Sequence, residues 1–346
     1  SYRAGAFYRK KVGLSLNEIA ILSTSSDSPQ AFRSAVLGLH AVGTIEGEMV
    51  AGNQGVLFTS IVTADEEGGQ FTTEFIQVSP KFRLKQLKVE GGAFPRYLVE
   101  SVVDLDGGVH VDLQLGADGV VGTVSNNAEM TLKNCMFAVN SYPFPVGTLA
   151  PGQSTEVVLA DRTAKERGDF TTEVLLGSRS LTRKNLVTTL FQPDELRPFT
   201  PWAQRLFLLG WPDRDFIAET LEGVDRKVDR RSISLLNVES RVRPAAPGSK
   251  VVVPMAFCTP ALRPAGSRTA FGLITFFGQA MAQRAEVLFY MPQFASNVEV
   301  REAQLRMLLS AYGQQVIVRG VEAATGNTVE VARLDSPDGW RKVTVP

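Results

Sequence analysis

Residues 119–159 read GVVGTVSNNAEMTLKNCMFAVNSYPFPVGTLAPGQSTEVVL. Short runs of valine, threonine and alternating apolar residues are broken at Asn126-Asn127, Tyr142-Pro143 and Pro151-Gly152, residue pairs that favour tight turns. This is the pattern of an antiparallel sheet whose strands are joined by turns. The stretch holds no nucleophile motif, metal cluster or phosphate loop.

Upstream, Arg96–Leu105 alternates as a strand, Asp106-Gly107-Gly108 supplies a hairpin turn, and Val109–Leu115 returns with Val109, Val111, Leu113 and Leu115 on one face. With residues 119–159 this predicts a small immunoglobulin- or fibronectin-like sandwich over 93–165. Residues 1–92 alternate β-prone runs such as LSLNEIAIL and VLFTSIVTA with turns, and predict an N-terminal β-sandwich, separate from the central one or joined to it. Over 166–230 the period changes. Leu181, Leu186, Leu190 and Phe191 stand near helical spacing, Thr200-Pro201 reads as a helix start before a stop at Gly210, and Phe216, Ile217, Leu221, Val224 and Val228 share one helical stripe. A helical insertion or cap is expected there. From 231 to 346 strand patterns resume and fit a C-terminal sandwich, of jelly-roll type on the strand count. The predicted class is therefore mainly β: two or three antiparallel sandwiches, with a helical segment between the central and C-terminal ones.

Composition narrows the function classes. The chain has 346 residues, 44% hydrophobic and 21% charged, and its 36 Lys plus Arg balance 36 Asp plus Glu. A folded chain with no net field is expected, and no nucleic-acid partner. The densest charge cluster, DRKVDRR at 225–231, interleaves acids with bases and has no aromatic stacking platform. No run of about 18 apolar residues occurs, so no membrane-spanning helix is expected within the chain. Cys135 and Cys258 sit among apolar neighbours in strand-like runs; two buried free thiols are expected, with a mutual bridge as the alternative.

The runs LSLNEIAIL near the start, GTVSNNAEMTLKNCMFAVNSYPFPVGTLAPGQSTEVVL in the centre, and AQLRMLL and VARLDSPDGWRKV near the end together resemble a group of uncharacterised bacterial membrane-anchored envelope proteins with β-rich domains outside the cytoplasm. The turn Gly147-Thr148-Leu149-Ala150-Pro151-Gly152, which launches a last strand, carries much of the likeness. The departure is at Tyr142-Pro143-Phe144-Pro145, where a plain short strand is expected. The resemblance implies an extracytoplasmic place, in the periplasm or on the cell surface, and an anchor upstream of residue 1. It also implies partners among other envelope proteins or other domains of the same chain. It brings no catalytic residues and no cofactor.

Candidate chemistry is sparse. Asp104, Asp106, His110 and Asp112 beside Gly107-Gly108 recur at a spacing that brings part of a calcium loop, or a His-Asp transition-metal site, into view. A solvated hairpin accounts for the same pattern, because alternate positions share the polar face. The chain has only His40 and His110, no Gly-x-Ser-x-Gly elbow and no nucleotide loop. Acidic groups at Asp65-Glu66-Glu67 and Asp194-Glu195 leave a hydrolase acting on envelope polymers as one alternative. Among aromatics, Trp202 and Trp211 read as core or as docking anchors. Tyr290, Phe294, Tyr312 and Trp340 are the residues of a second alternative, a carbohydrate-binding module. The leading expectation is a non-enzymatic scaffold or protein-interaction module with no cofactor.

Overall fold

A computed structural model of the chain describes residues 13–52, 57–61, 75–78, 81–139, 142–160, 183, 186, 206–224, 227–264, 285–310, 313, 315–321 and 327–345. The fold is mainly β, with antiparallel and mixed sheets. The first twelve strands are β1 (Leu14–Ser25), β2 (Gln30–Ala41), β3 (Ile45–Ala51), β4 (Leu57–Ile61), β5 (Phe75–Val78), β6 (Lys81–Val89), β7 (Arg96–Asp104), β8 (Val109–Gly116), β9 (Gly119–Asn126), β10 (Leu132–Val139), β11 (Tyr142–Leu149) and β12 (Ser154–Leu159). There follow β13 (Leu206–Pro212), β14 (Glu219–Glu222), β15 (Val228–Ser240), β16 (Val242–Arg243), β17 (Thr259–Pro264) and β18 (Ala285–Tyr290). The last four are β19 (Ala303–Ser310), β20 (Gln315–Val321), β21 (Thr328–Asp335) and β22 (Asp338–Val345). No helix among the described residues is long and apolar enough to cross a membrane.

The chain divides into two compact units, Ser1–Ala295 and Ser296–Pro346. The second unit pairs β19 with β22 and β20 with β21, both antiparallel. The first unit is organised by an eight-stranded sheet in the order β11-β10-β13-β15-β1-β2-β7-β4. Two four-stranded sheets accompany it, β14-β3-β6-β5 and β12-β9-β8-β16, and β17 pairs with β18. The boundaries expected at 92/93, 165/166 and 230/231 are not where the structure divides. Strands from all four expected segments lie in the one large sheet, because β1 pairs in parallel with β15 along its whole length, from Leu14↔Val228 to Ser25↔Glu239.

Alternation gives this sheet two faces. On the inward face Leu14, Leu16, Leu37, Leu39, Tyr97 and Val99 form one buried core with Ile45, Met49, Ala51, Leu84, Leu87 and Val89 of the β14-β3-β6-β5 sheet. That core makes this part of the unit a sandwich. The β8–β9 hairpin has the alternation read from sequence, with Val109, Val111, Leu113 and Leu115 buried. Its position is fixed by the β1–β2 turn, where Asp27 N–H donates to Val109 O (3.1 Å) and Val111 N–H donates to Ser26 Oγ (2.9 Å). At Gly122 a side chain is excluded, since a Cβ there would stand 1.9 Å from Asp112 O on the paired strand.

The expected helical segment is corrected. Leu206–Pro212 is strand β13, and every residue from Leu206 to Trp211 is buried. It lies between β10 and β15 with both faces covered, and an apolar run of this length has no periodicity to separate strand from helix. The stripe Phe216, Ile217, Leu221, Val224 and Val228 is not a helix either; it spans an irregular stretch, β14 and the first residue of β15. Its members are nevertheless gathered, since Ile217, Leu221, Val224 and Val228 pack on the sandwich core. Arg183 and Leu186 are helical, and the rest of 181–191 lies outside the described residues. Cys135 and Cys258 are free and buried, as read; burial pushes the Cys135 thiol up to about 12.

Among the described residues strand β11 ends the large sheet, paired with β10. It carries Pro143 and Pro145, opposite Ala138 and Met136. Proline has no N–H for the ladder, so these two positions turn the donor-less side outward and blunt the edge against another strand.

Candidate interaction surface

The hairpin carboxylates and histidine are spread over separate partners. Asp104 Oδ1 accepts the Asp106 N–H (2.9 Å) and fixes the turn. Asp106 pairs with Arg214, His110 Nδ1 lies 2.7 Å from Asp27 Oδ1, and Asp112 pairs with Arg243 at 2.7 Å. Among the described residues no group of three or more His, Cys, Asp or Glu side chains converges to hold a metal ion. The alternation that made His110 and Asp112 neighbours in sequence places them along one strand face, each within reach of a different element.

Of the aromatics, Trp211 is in the core, 1% exposed, with the Arg183 guanidinium 4.7 Å above its ring. Phe294 meets Phe257 edge-on at 5.5 Å, and Phe257 stacks near Phe144 at 6.4 Å. Trp202 and Tyr312 lie outside the described residues, as do Asp65-Glu66-Glu67 and Asp194-Glu195; of Tyr290 on β18 and Trp340 on β22 only the backbone is described.

The feature that sequence reading missed is the outward face of the eight-stranded sheet. Pairing puts its side chains in rows. One row runs Met136, Leu209, Asn237, Ser23, Phe32, Val102 across β10, β13, β15, β1, β2 and β7. Another runs Ile233, Ile19, Val36, Leu98. The β10-β13-β15 half is covered: Met136, Ala138, Phe207, Leu209, Trp211 and Leu235 form a buried cluster on which Leu186 and Ile233 pack. Across β1, β2, β7 and β4 no strand or helix among the described residues packs on the same face. Ile19, Phe32, Val36, Leu57 and Val102 are 38–57% exposed there.

Phe94 extends this patch. Gly38 faces outward between Asn17 and Arg96, and a Cβ on it would stand 2.5 Å from Phe94 Cζ, so the ring lies directly over the glycine while remaining 47% exposed. Large apolar side chains scattered singly on a surface are ordinary, whereas six on one continuous face mark an interaction surface. No single strand signals this in sequence, because in each the outward residues alternate with core residues as in any buried strand.

A family model described as a domain of unknown function, DUF8725, matches residues 108–242, the stretch from the β8 hairpin to the first residue of β16. No curated protein matches the sequence. Among solved structures the chain is similar to the yeast delta-COP-I mu-homology domain complexed with a WxWxV peptide, at 9% identity and TM-score 0.31 over 66% of this chain and 96% of that one. It is similar also to the Fcho1 mu-homology domain of Danio rerio with a bound peptide, at 5% identity and TM-score 0.31 over 66% and 94%. Superposition at this level carries no argument about function.

Proposed function

We propose that this chain is a non-enzymatic protein-interaction module whose docking surface is the exposed half of the large sheet's outward face. The observation that carries this reading is the gathering of Ile19, Phe32, Val36, Leu57 and Val102 on four neighbouring strands, with Phe94 from the segment before β7 lying over Gly38 on the same face. The occupant we assign is an amphipathic helix of a partner protein. The same face, a few strands away, is met by Arg183 over Trp211 and by Leu186, both in helical conformation, so helical residues are what this surface already packs against. Four strands at about 4.8 Å spacing give a width that roughly ten to twelve helical residues would cover, with anchors repeating at three and four positions.

The test is site-specific photo-crosslinking in cells that make the natural protein, with a photoreactive phenylalanine at 32 or 102 and controls at the exposed positions Val158 and Val329. A protein partner crosslinked through a helical segment at 32 and 102, and not at the controls, is expected. Crosslinks only between copies of this chain, or none above the controls, would overturn the assignment.

On the sequence resemblance we further assign the module to the extracytoplasmic side of a bacterial envelope, with other envelope proteins as its partners. A topology reporter fused to the full-length chain checks this, and activity only on the cytoplasmic side would remove it.

A further inference from the structure

Between the sandwich core and the apolar residues Leu22, Ala31, Val103 and Leu105, the inward face of the large sheet carries a layer of buried charge. Arg33 and Glu219 have no exposed side-chain surface, and neither has the Glu18 side chain. Arg33 stands level with Leu22 and Glu18 level with Leu37, so the arginine reaches back past the paired Ala20 and Ala35, whose methyl groups leave it room. Its Nε donates to Glu18 Oε1 (2.7 Å). Its Nη1 and Nη2 donate to the two oxygens of Glu219 (2.8 and 2.9 Å), and Nη1 also to Ser101 Oγ (3.3 Å). Glu219 belongs to β14 of the small sheet, so the cluster clamps one sheet to the other.

We propose that this cluster holds one proton while the chain is folded, on Glu18 Oε2, and that its loss weakens the clamp between the two sheets. Arg33 stays protonated at any pH the protein meets, and two carboxylates face it. The charged groups around Glu18 are Arg33 from β2 and Glu219 from β14; β7 contributes Ser101 and β15 Ser232 and Ser234, all neutral. Fully ionised, the layer would keep one net negative charge away from water, a state that proteins relieve by protonation.

Geometry selects the carboxyl. Glu219 receives a two-pronged guanidinium, an arrangement suited to a carboxylate, which only accepts. Glu18 instead turns Oε2 to Ser232 Oγ at 2.8 Å, and Ser232 Oγ lies 3.3 Å from Ser234 Oγ. With a proton on Glu18 Oε2, the hydroxyls rotate so that Glu18 donates to Ser232 and Ser232 to Ser234, and no heavy atom moves. Burial also pushes the Glu18 carboxyl up, by more than Arg33 and Ser232 pull it down. A carboxyl raised in the folded state contributes stability that is full below its ordinary value of 4.5 and is lost as pH rises through its folded value. The clamp therefore loosens on the alkaline side.

Infrared spectroscopy of the folded chain across pH, for the natural sequence and for Glu18→Gln, tests this. Expected is a protonated-carboxyl C=O band that persists above the pH at which the exposed carboxyls have ionised, fades as pH rises further and is absent from Glu18→Gln. The melting temperature of the natural chain should also fall relative to that of Glu18→Gln as pH rises. No such band at any pH where the chain is folded would overturn the proposal, as would a band that survives Glu18→Gln and vanishes in Glu219→Gln. Should Glu18→Gln not fold, the band in the natural chain and its response to Glu219→Gln still decide. The outcome is independent of the docking face.

Discussion

The two halves of the large sheet's outward face are built from the same materials and used differently. Trp211, Leu209 and Met136 on the β10-β13-β15 half are buried beneath Leu186; Phe32, Val36 and Val102, in continuous rows with them, are not. Both halves are built of strands paired in the same sheet, with β4 at its end, so the difference is not one of secondary structure. It lies in whether a second layer arrives. The covered half contributes to folding, and the exposed half is the docking surface proposed above. Asn237 sits in the row where the halves meet, 4% exposed, and its Oδ1 has no hydrogen-bond partner. An acceptor with no partner among the described residues opposes folding at this junction, in a row otherwise apolar except for Ser23.

Substitutions that treat the halves unequally test this comparison. Trp211→Ala on the covered half is expected to cost about 3–5 kcal/mol, the range for emptying a large aromatic site, read as a lowered urea midpoint. Arg33→Ala probes the inward side of the same sheet and is expected to cost a similar amount, about 3–5 kcal/mol, because the buried Glu219 carboxylate loses its cation and Glu18 loses a donor; its loss should shrink at acid pH, where Glu219 is protonated as well. Asn237→Leu at the junction is expected to stabilise the fold by roughly 1 kcal/mol, since it removes an unsatisfied buried acceptor, and its melting temperature would rise. On the exposed half, Phe32→Ser with Val102→Ser should change stability by less than about 0.5 kcal/mol per site while abolishing the partner crosslink at a third patch position such as Leu57. An exposed-half loss as large as that of Trp211→Ala would erase the distinction between the halves.

Sequence resolved what is local and periodic. The Val109–Leu115 alternation, the Asp106-Gly107-Gly108 turn, the buried thiols and the mainly β class depend on spacing and turn chemistry, and they appear where they were read. The turn itself shows why: Asp106 and Gly107 have positive φ, at 52° and 117°, conformations that Asp and Gly tolerate and most residues do not. Helix and strand became indistinguishable at Leu206–Trp211 because a strand covered on both faces has no polar phase. The stripe from Phe216 to Val228 predicted burial correctly and shape wrongly, since those side chains meet through an irregular stretch and two strands.

The docking face and the charge layer had no sequence signature at all. Glu18, Arg33 and Glu219 are three ordinary charged residues spread over two hundred positions, and only the β1–β2 register and the approach of β14 bring them within hydrogen-bond reach. The six exposed apolar residues became one surface only when β1, β2, β7 and β4 lined up in register. The sequence alone thus determined the strands that alternate polar with apolar, the turns between them and their inward-outward faces, because these follow from interactions a few residues apart. Which strands are neighbours, which half of a face is covered and which charges are sealed together were decided by tertiary pairing, above all the parallel union of β1 with β15, where contacts between distant residues set the outcome.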